Sequence, residues 1–113
     1  MAYRKEAIVF RFLALTEQMV EDLRVLQAGV DSRRSYNRPG YLTGTFSLID
    51  GENYDWIDQF IRKHGIREKD YDIFVSLSTD CDSDIVCVPT FAMNLSRRVG
   101  GGITFSYTVL SED

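Results

Sequence analysis

The sequence has few of the residues on which enzyme active sites are commonly built. It contains one histidine, His64, which stands near the end of a predicted helix among cationic neighbours. A lone histidine at that position more commonly serves as a capping charge. No serine or cysteine has a recognisable base and orienting group beside it, and no G-x-S-x-G, H-E-x-x-H or phosphate-loop pattern occurs. The sequence therefore predicts a protein that is not an enzyme.

Long hydrophobic runs and a basic excess are also missing. No apolar run is long enough to span a bilayer. The N-terminal stretch MAYRKEAIVFRFLAL begins like a signal peptide, but Glu6 and Arg11 interrupt it and no small-residue cleavage pattern follows. We therefore expect a first strand here and a cytoplasmic protein. The formal net charge of -4 disfavours a general nucleic-acid binder and is compatible with a basic partner.

The two cysteines, Cys81 and Cys87, do not form a C-x-x-C motif of the redox or zinc type. In a reducing cytosol they are expected to be free thiols. Free cysteine is among the most buried residue types, so we expect small, buried or half-buried side chains at both positions.

Periodicity predicts seven secondary-structure elements. Apolar residues make up 44% of the chain, which is ordinary for a globular protein with a hydrophobic core. Strands are predicted by alternation at 6–15, 41–49, 71–78 and 103–110. Helices are predicted by helical spacing at 16–27, 50–65 and 89–99. The stretch VDSRRSYNRPG, 30–40, has no apolar period and is predicted to be a long loop.

These elements predict an α+β protein in the order β-α-β-α-β-α-β. We expect a single mixed or antiparallel sheet of four to five strands, with the helices packed on one face. The whole chain, 1–113, is predicted to be one domain. Two similar βαβ halves, about 5–49 and 70–110, would be joined by a helix at about 53–64, and their closing strands share a T-F-S core.

The stretch STDCDSDIVCVP, 78–89, looks most like a chemical site. Its aspartates occupy every second position, as Asp80, Asp82 and Asp84. A calcium loop needs glycine and glutamate where this chain has Ile85 and Phe91, so we predict neither a metal nor a cofactor. The stretch is predicted to be a solvated acidic turn or an acidic edge that pairs with cationic side chains of a partner.

A basic loop and a run of glycines are further candidates. Arg33, Arg34 and Arg38, with Tyr36 between them, are typical of a phosphate or RNA contact, of a protein interface, or of a solubilising loop. The glycines of RRVGGGITF follow a predicted helix and precede a strand, the reverse of the order in a phosphate loop. They are therefore predicted to end the helix and form a turn.

The split plan of the chain, with DIFVSLSTDCDSD followed by VPTFAMNLSRR and GGITFSYT, resembles a family of small bacterial α/β domains over most of its length. Together with the small size and acidic balance, it also resembles the immunity proteins of contact-dependent growth inhibition and related toxin systems. That resemblance implies a cytoplasmic protein that binds one cognate toxin domain, often a nuclease. An acidic protein could cover the basic cleft of such a toxin.

Under this hypothesis, acidic, aromatic and arginine side chains make the contact with the toxin domain. The candidate toxin-binding residues are Asp80, Asp82, Asp84, Asp55, Glu52, Tyr54, Tyr36, Arg33 and Arg34. No direct nucleic-acid or membrane partner is predicted, and the chain is expected to be a monomer or a weak homodimer. The alternative is a regulatory domain that binds a small molecule, as a monomer or a homodimer, through the glycine-rich turn and the basic loop. An RNA-contact module is a third hypothesis, disfavoured by the net charge.

Overall fold

The computed structural model describes residues 4–36, 38–80 and 87–109. Its strands are β1 (Arg4–Leu15), β2 (Asp31–Arg34), β3 (Leu42–Ser47), β4 (Tyr71–Thr79) and β5 (Gly102–Val109). Its helices are α1 (Glu17–Leu26), α2 (Asp55–His64) and α3 (Thr90–Val99), with a short 3-10 helix at Glu68–Asp70. Within the described residues, none of these helices combines the length and apolar character needed to cross a membrane.

The strands form one mixed sheet in the order β2-β3-β1-β4-β5, which confirms the predicted α+β class. Every neighbouring pair is antiparallel except β4 and β5, which are parallel. Strand β2 was missing from the predicted order, because residues 31–34 were assigned to the loop at 30–40. This strand is held by backbone pairing to β3, with Thr43 donating a side-chain hydrogen bond to the Arg33 carbonyl at 3.2 Å. An exposed edge of this kind needs no apolar period, so periodicity did not reveal it.

Two βαβ units interleave to make the sheet. The units β1-α1-β2 and β3-α2-β4 give the order β2-β3-β1-β4, which is the split βαβ, or ferredoxin-like, arrangement. Helix α3 and strand β5 extend it at one edge. The segments 5–49 and 70–110, predicted to be similar halves, differ in strand direction, since β1 and β3 are antiparallel whereas β4 and β5 are parallel. Helix α2 is the crossover of the second unit.

Local signals in the sequence account for the helix boundaries. The Thr16 hydroxyl accepts a hydrogen bond from the backbone N–H of Met19 at 3.2 Å, so Thr16 is the N-cap of α1. Helix α2 ends at Gly65, whose φ of 62° is a left-handed conformation that favours glycine. Pro89 immediately precedes α3, where its lack of an N–H group costs the helix nothing.

The core lies between the helices and one face of the sheet, as predicted. Phe10 and Phe12 of β1 are fully buried and lie 5.0 Å apart between ring centroids. Around them pack other aromatic rings at centroid distances of 5.2 to 6.2 Å, from Phe46, Phe60 and Tyr71. Such tilted and stacked pairs stabilise the fold by roughly 0.5–1.5 kcal/mol each beyond the area they bury.

The opposite face of the sheet is polar and is cross-linked by one arginine. Arg11 of β1 donates two hydrogen bonds to Asp72 of β4, at 2.7 and 2.5 Å. Its guanidinium also lies 4.3 Å from the centre of the Phe74 ring. Thr104 of β5 donates to the same Asp72 carboxylate at 2.7 Å. This network therefore ties together three adjacent strands.

Gly44 marks a close approach in β3, one of the two roles that its place inside a strand predicts. The register between β1 and β3 shifts next to it, between the pairs Phe12–Gly44 and Leu15–Leu42. A Cβ atom on Gly44 would lie 2.9 Å from the terminal methyl groups of both Leu15 and Leu23. Both leucines are fully buried, so they have little room to move away.

Replacing Gly44 with alanine is expected to lower the free energy of unfolding by about 1–3 kcal/mol, because the added methyl overpacks this site. The matched control is Gly29→Ala, since nothing lies within 4 Å of a Cβ at Gly29. That control should leave stability unchanged or raise it by up to about 1 kcal/mol through the unfolded state. Urea denaturation measures both, and equal effects of the two substitutions would contradict the close approach at Gly44.

Tyr71 fastens α3 to the start of β4. Its buried hydroxyl donates a hydrogen bond to the carbonyl of Val99, the last residue of α3. Burial raises the pKa of Tyr71 above 10.0, and the negative charges of Glu68 and Asp58 raise it further. Folding therefore favours the protonated phenol. Its stabilising effect is fully present below pH 10.0 and is lost as the pH rises through the folded-state pKa.

Replacing Tyr71 with phenylalanine should lower the free energy of unfolding by about 0.5–1.5 kcal/mol at neutral pH, because the Val99 carbonyl loses its donor. The difference between this variant and the native chain should shrink as the pH rises above 10.0. Urea denaturation over a pH series measures both effects, with Tyr36→Phe as the control because Tyr36 is fully exposed. A difference that stays constant over the series would contradict the proposed role of the phenol.

Candidate functional site

A loop between β3 and α2 presents acidic side chains on a fixed backbone. Tyr54, at the end of this loop, is buried with its ring 6.2 Å from that of Phe46. Its hydroxyl accepts a hydrogen bond from the backbone N–H of Ile49 at 2.7 Å, which closes the loop on itself. Gly51 makes the tight turn between them with a φ of 91°. The carboxylates carried by this loop are therefore held by the core.

The loop leads directly into α2. The side-chain oxygen of Asn53 accepts a hydrogen bond from the backbone N–H of Asp55 at 2.8 Å, which satisfies one free donor of the first helical turn. Asp55 stands in that turn, where the helix dipole favours a negative charge. From α3, Arg98 reaches across to Asp55, with its Nη2 atom 2.6 Å from Oδ1. This ion pair joins the two helices at the surface.

Between the loop and α3 lies a groove of about 500 Å³ that we call the acidic groove. It is lined by Asp50, Gly51, Glu52, Asn53, Tyr54, Asp55, Phe91, Asn94, Leu95 and Arg98. Three carboxylates face one arginine, and Phe91 and Leu95 add an apolar floor. A cleft of this size with a mixed apolar and charged lining can accept a side chain or a short segment of a partner.

The carboxylates of the acidic groove differ in how they are neutralised. Asp55 is paired with Arg98, and both side chains are about half exposed or more, so the pair stabilises the fold little. Asp50 and Glu52 are exposed and make no ion pair within residues 4–36, 38–80 and 87–109. They can therefore pair with cationic groups from outside the chain.

The structure places some of the candidate toxin-binding residues close together. Glu52 and Asp55 both line the acidic groove. Tyr54 also lines the groove but is only 6% exposed, so it positions the loop and offers little of its ring to a partner. Asp80 directly follows β4, whereas Asp82 and Asp84 lie outside the described residues.

The basic candidates lie elsewhere. Arg33 and Arg34 belong to β2, the edge of the sheet farthest from β5. Arg33 is highly exposed and lies 3.4 Å from Asp31 on the same strand. Tyr36 follows this strand and is fully exposed. The acidic and basic candidates therefore do not form one site, and a partner would meet them as separate surfaces.

A second groove, of about 460 Å³, lies beside the basic loop. Its cationic lining residues are Arg11, Arg38 and Lys69. Both arginines are paired with carboxylates: Arg11 with Asp72, and Arg38 with the buried Asp70 at 3.1 Å. Asp70 also accepts a hydrogen bond from Arg67 at 3.1 Å. These internal pairs weaken the attraction of the groove for an anionic ligand.

Within residues 4–36, 38–80 and 87–109, the side chains with possible chemical reactivity do not form a cluster. His64 packs against Phe60, with ring centroids 4.6 Å apart, and its Nε2 atom lies 3.3 Å from Asp22 Oδ2. Among the residues that the structure describes, no group of histidine, cysteine, aspartate and glutamate side chains could hold a metal ion. Cys87 is exposed, so the expectation of a buried or half-buried thiol there is wrong, while Cys81 lies outside the described residues.

Sequence reasoning missed the α3 side of the acidic groove. Phe91 and Leu95 occupy apolar positions at helical spacing in α3, and that spacing does not reveal that they also line a cleft. Arg98 gave no signal for its partner, because Asp55 is 43 residues earlier in the chain. The sequence signal for the groove was the cluster of Asp50, Glu52 and Asp55, which lie in the first turn of α2 and the loop before it.

Comparisons with known proteins leave the family open. No protein-family model, no curated protein and no solved structure matches this chain. The resemblance to toxin-immunity proteins therefore gains no support from a relative, and it remains a hypothesis.

The role of Tyr54 can be tested by removing its hydroxyl. Tyr54→Phe should lower the free energy of unfolding by about 0.5–1.5 kcal/mol, because the Ile49 N–H loses its acceptor. The Ile49 amide should also exchange its hydrogen faster, as measured by NMR. Tyr41→Phe is the control, since Tyr41 is 44% exposed. Unchanged exchange at Ile49 would show that the hydroxyl does not hold the loop.

Proposed function

We propose that this protein is a cytoplasmic immunity protein that binds and neutralises a cognate bacterial toxin domain. The observation that carries the proposal is the acidic groove, in which Asp50 and Glu52 stand exposed on a loop anchored by the core. The target would be a toxin with a basic active-site cleft, of which a nuclease is the best example. The protein is proposed to act by covering that cleft and not by catalysis.

The physical basis is electrostatic and geometric. A nuclease holds phosphate groups with lysine and arginine, and those same side chains can pair with the carboxylates of the acidic groove. Because the loop is fixed by Tyr54 and Gly51, little backbone freedom is lost when a partner binds. The net charge of -4 adds long-range attraction, which speeds the encounter with a basic protein.

Arg98 could be displaced from Asp55 when a partner binds in the groove. A cationic side chain of the partner could replace Arg98 beside Asp55, since the existing pair is exposed and weak. Phe91 and Leu95 would then provide apolar contact next to the new ion pair. An apolar centre with charged surroundings is the usual composition of a protein interface.

The alternative, a regulatory domain that binds a small molecule through the basic loop and the glycine-rich turn, has less support. Its basic loop lies beside the second groove, where Arg38 is paired with Asp70 and Arg11 with Asp72. An anionic ligand would have to compete with carboxylates that are already in place. Asp50 and Glu52, by comparison, have no such internal competitor among the described residues.

The test requires a toxin domain, and the proposal predicts that its gene lies immediately upstream of the gene for this chain. Neutralising the groove with Asp50→Asn, Glu52→Gln and Asp55→Asn together should slow association with that domain roughly tenfold at low salt. The association rate should also become less dependent on salt concentration, because fewer charges attract the partner. Stopped-flow fluorescence measures both quantities.

The matched control removes the same number of negative charges elsewhere, with Glu17→Gln, Glu21→Gln and Asp31→Asn. These three residues are exposed and lie outside the acidic groove. Equal association rates for the two triple variants would contradict a contact at the groove. Failure of the native chain to bind the toxin domain, or to restore growth when the two are expressed together, would contradict the immunity function itself.

A further inference from the structure

Strand β5 forms an edge of the sheet that lacks the usual protection against pairing. It runs for eight residues, Gly102–Val109, and contains neither a charged residue nor a proline. Within the described part of the chain, no strand pairs with its outer side. The other edge, β2, has four residues, of which three are charged. Short and charged edges are how proteins commonly prevent strand addition, and only β2 has these features.

On the helix-covered face of the sheet, the row of apolar side chains continues from the buried core onto β5, where it is exposed to solvent. Phe105 pairs in register with the buried Val75 and so projects from the helix-covered face of the sheet, yet it is 55% exposed. Tyr107 and Val109 occupy the following positions on that face and are 41% and 46% exposed. Aromatic and β-branched residues are the types that form favourable cross-strand pairs.

We propose that β5 pairs edge to edge with β5 of a second copy of this chain. In an antiparallel pair about a twofold axis, each strand meets the same segment of its partner, so a strand that suits itself generates a closed dimer. The sheet would continue across both copies, and the row that contains Phe105 would continue with it. The proposal goes beyond the toxin contact, since no residue of β5 lines the acidic groove.

Charge leaves the edge of β5 open to a second copy. The chain as a whole carries a net charge of -4, which opposes self-association in general. The edge of β5 is free of charge, so two copies can approach there without bringing like charges together. An uncharged strand lacks the complementary charge that would select a basic or an acidic partner, whereas its aromatic and β-branched side chains can pair with the same side chains of a second copy.

The size of the contact sets its expected strength. Eight residues of strand extend about 26 Å, at roughly 3.3 Å per residue. One such strand pair with its flanking side chains is smaller than the roughly 1,200–2,000 Å² of a standard stable interface. The dimer is therefore expected to be reversible and to dissociate on dilution.

The test uses opposite charges at one position. The native chain should show a mass of two chains at high concentration and of one chain on dilution, by sedimentation velocity and light scattering. Phe105→Lys and Phe105→Glu should each weaken the dimer at least about tenfold, because like charges face each other across the twofold axis. An equal mixture of the two variants should form a dimer again, since opposite charges then lie across the contact.

Two further measurements complete the test. Arg33→Glu at the other edge is the control and should leave dimerisation unchanged. Amide hydrogen exchange of the native chain should be slower in β5 at high than at low concentration, a readout that needs no substitution. A native chain that is monomeric at every concentration would overturn the proposal. It would also be overturned by a dimer that survives both Phe105 variants, or by exchange in β5 that does not depend on concentration.

Discussion

The central position of β1 is the constraint on which the rest of the structure depends. This strand pairs with β3 on one side and β4 on the other, so α1 has to cross β3 to reach β2 and α2 has to cross β1 to reach β4. Phe10 and Phe12, on its buried face, contact aromatic rings from β3, β4 and α2. On its other face Arg11 binds Asp72 of β4. One strand therefore holds both the hydrophobic core and the polar network of the open face.

The placement of β1 in the centre leaves two unlike edges and one anchored loop. β2 and β5 become the outer strands, one short and charged, the other longer and uncharged. The loop that follows β3 has to turn back over the core to start α2, and Tyr54 fastens it there. The acidic groove is a consequence of that turn, because it holds Asp50 and Glu52 beside α3. The surfaces proposed to bind partners thus follow from the packing order.

The two charged regions of the surface differ mainly in whether their charged side chains are already paired within the chain, and less in how many charges they carry. Together, Arg11, Arg38 and Lys69 suggest an anion site. However, the carboxylates of Asp72 and Asp70 already neutralise the two arginines. The acidic groove retains carboxylates that the described residues leave without an ion pair. A charged side chain is available to a partner only when it is not already paired within the chain. The carboxylates of the acidic groove that the described residues leave unpaired therefore support the proposal of a basic protein as the partner.

Local pattern in the sequence determined the types of the seven predicted elements and the ends of α1 and α3, whereas α2 begins at Asp55 and not at position 50. Alternation places Phe10 and Phe12 on one face of β1, and Thr16 and Gly65 are of the residue types that begin and end helices, because these effects act over a few residues. Tertiary structure alone decided the strand order, the edge strand β2 and the exposure of Phe105, although that residue lies in a correctly predicted strand. Whether an apolar residue is buried depends on a neighbouring strand that can lie anywhere along the chain. The groove required the same long-range information, since its two sides are about 40 residues apart.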